Sequence, residues 1–93
     1  MKIVIIDFEL PDYICTDFLD GNQFKEWLSQ LNDEIYFADV RDKTWNKFRT
    51  KNSKRVELDL DGLMKLINEA TYLIRIKRNK AELCTYYPEE DDP

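Results

Sequence analysis

Lys2-Ile-Val-Ile-Ile-Asp-Phe8 decides the fold of this 93-residue chain. Ile3, Val4, Ile5 and Ile6 are β-branched and uninterrupted, so the segment has no polar face. A strand of that kind belongs at the centre of a sheet, buried on both sides. Asp7 then ends the apolar run.

Downstream, Leu10–Leu19 alternates without a clean apolar face, and Pro11 stops the first strand from continuing. A short edge strand is the reading for this stretch. Asp20-Gly-Asn-Gln23 carries the acid and the glutamine of a capping box. Phe24, Trp27, Leu28 and Leu31 follow at i, i+3, i+4 and i+7, one apolar stripe on a helix facing the core. Glu34–Val40 reads as a strand. Residues 41–55 are polar and lack a period, predicting a long loop or a short irregular helix.

Val56–Leu60 alternates as a half-buried strand. Asp61 is then the expected N-cap of a second helix with Leu63, Leu66, Ile67 and Ala70 on its apolar face. Tyr72–Arg78 and Ala81–Tyr87 read as a hairpin turning at Asn79-Lys80. The expectation is an α+β fold: a small mixed or antiparallel sheet of four to five strands with two helices. Two similar halves suggest a ferredoxin-like βαβ-βαβ-β order. Residues 1–88 form one domain, and 89–93 a disordered acidic tail.

Charge is segregated along the chain. Residues 1–40 hold nine acids and two bases, 41–55 seven bases and one acid, and 81–93 five acids and no base. The net charge is −5 and the mean hydropathy −0.61. Such fields act on association rather than on fold. With 43% hydrophobic residues the chain lies well outside the disordered regime. The first eight residues lack the apolar core and cleavage site of a signal peptide, and no apolar run is long enough for a membrane span. A cytoplasmic protein is expected. Cys15 and Cys84 are far apart in sequence; a disulfide is possible, but the preferred reading is reduced thiols that pack as small apolar groups.

The chain has no histidine and no glycine-rich loop. The commonest general base, the usual nucleophile pairs, the commonest metal ligand and a phosphate-cradling loop are therefore missing. No cofactor and no metal are expected, and an enzyme is not the preferred reading. A carboxylate-metal hydrolase on Asp7, Asp59 and Asp61 is the most distant alternative.

Two surfaces qualify for binding. In the acidic stretch, Asp12, Tyr13, Asp17 and Asp20 combine carboxylates with an aromatic anchor. They suit a protein partner that normally handles nucleic acid, because carboxylates present charge as phosphates do. Phage-encoded anti-restriction and anti-CRISPR inhibitors have similar size and charge. In the basic stretch, Lys43, Trp45, Lys47 and Arg49 complete the expected partner surface. The preferred expectation is thus a non-enzymatic inhibitor or nucleic-acid mimic that occupies a charged surface of a nucleic-acid-handling complex. The alternative is direct RNA or DNA binding. There, Lys43, Lys47, Arg49 and Lys51 contact phosphates and Trp45 and Phe48 stack on bases, joined by Arg75, Lys77 and Arg78 of the hairpin. Self-association through an edge strand, Ile35–Phe37 or Leu83–Tyr87, is also compatible with the sequence.

Overall fold

A computed structural model describes residues 1–88, so the expected tail at 89–93 lies outside the described residues. The fold is α+β. Six strands form one mixed sheet: β1 (Lys2–Ile6), β2 (Tyr13–Asp20), β3 (Glu34–Ala38), β4 (Ser53–Val56), β5 (Tyr72–Lys77) and β6 (Lys80–Tyr86). Three helices accompany it: α1 (Gly21–Ser29), α2 (Asp42–Phe48) and α3 (Leu60–Glu69). The strand order is β2-β6-β5-β1-β3-β4, with β5, β1, β3 and β4 parallel and β6 antiparallel to both its neighbours.

Two elements more than expected come from two stretches. The polar segment 41–55 holds both α2 and β4. Thr44, Trp45 and Phe48 turn inward from α2, and β4 continues the parallel ladder through Ile35↔Ser53 to Ala38↔Val56. The expected strand at 56–60 therefore begins earlier and stops at Val56. The weak edge strand at 10–19 is a full eight-residue strand on β6. The ferredoxin-like order is not confirmed: β4 and β5, which flank α3 in sequence, are separated in the sheet by β1 and β3.

β1 occupies the centre, and Ile3 to Ile6 are buried. Ile3 and Ile5 pack on one face with Phe24 and Leu28 of α1 and Phe48 of α2; Val4 and Ile6 pack on the other with Ile67 of α3. The capping box forms as expected: Asp20 Oδ1 accepts from the Gln23 amide at 2.9 Å, and Gln23 Oε1 from the Asp20 amide at 3.4 Å. For α3 the cap is Asp59 rather than Asp61, with Asp59 Oδ1 accepting from the Gly62 amide at 2.7 Å.

β2 is an edge strand, as expected for that stretch, but the strands considered for self-association are not at the edges: β3 and β6 are interior, and the other edge is β4. Among the described residues no helix is long and apolar enough to cross a membrane. The cysteines are not separate thiols. Cys15 and Cys84 face each other across the β2–β6 ladder and form a disulfide. Disulfides persist in oxidising compartments, so this bond lends nothing to the cytoplasmic expectation.

The bond spans 69 residues of sequence, and chain-entropy reasoning gives it up to about 4 kcal/mol. Urea unfolding with and without reductant measures this directly. The expected result is a lower midpoint on reduction, with β2 the first element to lose amide protection; an unchanged midpoint contradicts it.

Candidate anion-binding cleft

The parallel strands end on one edge of the sheet, and β1 is where the connections change direction. From β1 the chain crosses to β2 at one edge, passes by α1 and α2 to β3 and β4 on the other side of β1, and then returns by α3 to β5. Ligands in open α/β sheets lie beyond the carboxyl ends of strands at such a switch. Two pieces of chain meet there: the start of α2 and the tight β5–β6 turn.

Asp7, at the end of β1, fixes the first piece. Its side chain is 3% exposed. Oδ2 accepts from the Arg41 amide at 3.0 Å, from Arg41 Nε at 3.1 Å and from the Thr44 hydroxyl at 2.7 Å. Burial by itself would raise the Asp7 pKa. The hydrogen bonds from Thr44 and from the Arg41 amide and side chain, with the guanidinium charge, outweigh it and hold the carboxyl below its usual value. Arg41 gives Nε to this contact, and its side chain remains 73% exposed.

The second piece is Arg78-Asn79, not the expected Asn79-Lys80. Both residues have positive φ, 50° and 63°, the conformation of the tight hairpin turn that matches strand twist. Asn79 is docked on two sides. Its side chain accepts from Lys47 Nζ. Gly21 also approaches it so closely that a β-carbon there would overlap Asn79 Oδ1 and sit 2.7 Å from its backbone oxygen. This contact explains a glycine at the first position of α1.

The result is a cleft of about 230 Å³ lined by Arg41, Lys43, Thr44, Lys47, Arg78 and Asn79. Among the described residues this lining holds four cations and no acid, and Asp7 behind it is already bonded to Arg41 and Thr44. Among the described residues, Lys43, Lys47 and Arg78 have no ion-pair partner; the ion pairs are made by other bases. Arg55 pairs with Asp42 at 2.6 Å, Arg75 with Glu82 at 2.9 Å, Lys77 with Glu9 at 3.4 Å and Lys80 with Asp17 at 3.4 Å. A small anion entering the cleft meets uncompensated positive charge and several N–H and O–H donors.

The expected site residues thus divide. Lys43, Lys47 and Arg78 converge, joined by Arg41 and Asn79, which sequence reasoning did not single out. Arg75 and Lys77 are committed to acids. Arg49 and Lys51 lie past the far end of α2. Trp45 is half-buried, its ring roughly perpendicular to that of Phe37 with centroids 5.3 Å apart, and Phe48 is 1% exposed, so Phe48 offers no face to a base. On the acidic side, Asp20 is a helix cap and Asp17 pairs with Lys80. Asp12 and Asp20 flank or end β2 roughly 26 Å apart along an extended strand, so these acids form no cluster. Tyr13 packs on Tyr86, centroids 5.2 Å apart. Asp7, Asp59 and Asp61 are not brought together, and among the described residues no group of acids or cysteines is placed to hold a metal.

No protein-family model, curated protein or solved structure matches the chain.

Two variants test the construction of the cleft. A side chain in the left-handed region costs roughly 1 kcal/mol, so Arg78→Gly is expected to stabilise the fold by about that amount while removing a cleft cation. Lower stability in urea contradicts the turn geometry. Asp7→Asn is expected to lower stability near neutral pH. A depressed carboxyl contributes stability above its unfolded pKa of about 3.9 and loses it as pH falls through the folded value. The gap between the parent and Asp7→Asn should therefore narrow below about pH 4, as read by urea unfolding at several pH values.

Proposed function

We propose that this protein binds nucleic acid directly, through phosphate contacts in the cleft between α2 and the β5–β6 turn. The observation that carries the reading is the convergence of Lys43, Lys47 and Arg78 with Arg41 at the switch point, in surroundings where neighbouring bases are paired with acids. Phe48 in the core and Trp45 half-buried beside Phe37 leave little aromatic surface, which favours backbone contact over base stacking and makes the interaction electrostatic and tolerant of sequence. The protein is a binding module in this reading, not an enzyme, and takes no cofactor. Its net charge of −5 repels nucleic acid elsewhere on the surface and confines binding to the basic side.

A second reading, an inhibitor that docks on a nucleic-acid-handling protein complex, draws on a separate surface. Edge strand β2 is long and exposes Ile14 (51%) and Phe18 (38%) near Asp12 and Asp17. An edge strand of that kind offers backbone pairing and apolar contact to a protein.

Fluorescence anisotropy of labelled RNA and DNA across a salt series separates the two. The proposal expects binding whose logarithm falls linearly with the logarithm of salt. The combined variant Lys43→Ala/Lys47→Ala/Arg78→Ala should lose at least about tenfold and flatten the slope by about two to three. No binding at low salt, or binding untouched by the variant, overturns it. Capture of a protein partner that depends on Asp12 and Asp17 would then support the second reading.

A further inference from the structure

α1 and α2 cover the same face of the sheet and run in the same direction. Gly21 starts α1 against the β5–β6 turn, and Arg41 starts α2 against Asp7, so both helices begin at the cleft. Phe24 and Phe48 hold them together, ring centroids 5.7 Å apart. Their far ends are tied where Asn52 Nδ2 donates to the Leu31 carbonyl at 3.3 Å. At this far end lies a second cleft, about 380 Å³, whose charged lining is Lys25 from α1 with Arg49 and Lys51 from the segment after α2. Among the described residues no acid lines it, and Ser29 and Asn52 add polar side chains. Among the described residues none of its three bases has an ion-pair partner.

We infer that the two clefts are the ends of one track, and that a single nucleic-acid strand lies along the α1–α2 pair with phosphates in both. This rests on the reading of the first cleft as a phosphate site. Lys43 and Lys47 are one helical turn apart on α2, and Arg49 and Lys51 continue the same course. The seven residues of α2 span roughly 10 Å, a distance at which each cleft engages a different phosphate of the same strand. The intervening acids do not close the path: Asp42 is bonded to Arg55, and Glu26 is an exposed residue of α1 outside the lining of both clefts. The track explains why the cations of 41–51 are divided between two sites while those of β5 and β6 are neutralised by acids.

The test compares labelled single-stranded oligonucleotides of about four and about twelve nucleotides, within the range of known strand-binding site sizes. The parent protein is set against Lys25→Ala/Arg49→Ala/Lys51→Ala, three exposed positions whose folding is checked by circular dichroism. The track predicts that this variant loses at least about tenfold on the long strand, with a salt slope shallower by about two, and binds the short strand as the parent does. A variant that retains parental affinity and slope on the long strand, while Lys43→Ala/Lys47→Ala/Arg78→Ala abolishes binding, overturns the track and leaves the first cleft standing. A parent protein that binds neither strand overturns both.

Discussion

A strand with no polar face sets the constraint on which the rest of this structure depends. Ile3 to Ile6 must be covered on both sides, and each fully buried aliphatic side chain contributes roughly 2 kcal/mol of burial free energy. Two helices on one face and one on the other meet that demand. The connections needed to place them reverse direction at β1, and the reversal leaves a gap beyond the ends of β1 and β5. The cleft is thus a consequence of how the central strand is covered, and its described lining carries Arg41, Lys43, Lys47 and Arg78.

Several local contacts turn that gap into a defined shape. Asp7 stops the strand and holds the start of α2 through three donors. Asn79 joins the hairpin to Lys47 and sits against Gly21, where no side chain fits. Arg78 accepts a left-handed backbone at the mouth of the cleft.

Much of this was legible in the sequence, and the failures have physical causes. β1, α1 and its capping box, and the stripe of α3 were read correctly because each rests on a dense local signal. α2 is legible only as one of two alternatives, a loop or a short helix, because it is two turns long and covers the core with few residues, one of them the polar Thr44, buried through its bond to Asp7. β4 was shifted because its pairing with β3 is parallel and non-local, so the register is invisible to alternation alone. The cysteines came together because β2 and β6 are neighbours, a fact of sheet order rather than of spacing. Likewise the charge of 41–55 was plain, but its division between two clefts follows from the direction of α2, and the loss of Phe48 as a stacking surface from its place in the core.

The central claim is that the convergence of α2 and the β5–β6 turn is the contact surface for nucleic acid. An amide chemical-shift titration of the labelled protein with a short single-stranded oligonucleotide tests it at residue resolution. The account predicts saturable shifts at Arg41–Lys47 and at Arg78-Asn79, fading as salt is raised. Shifts confined to β2, or none at low salt, would contradict it.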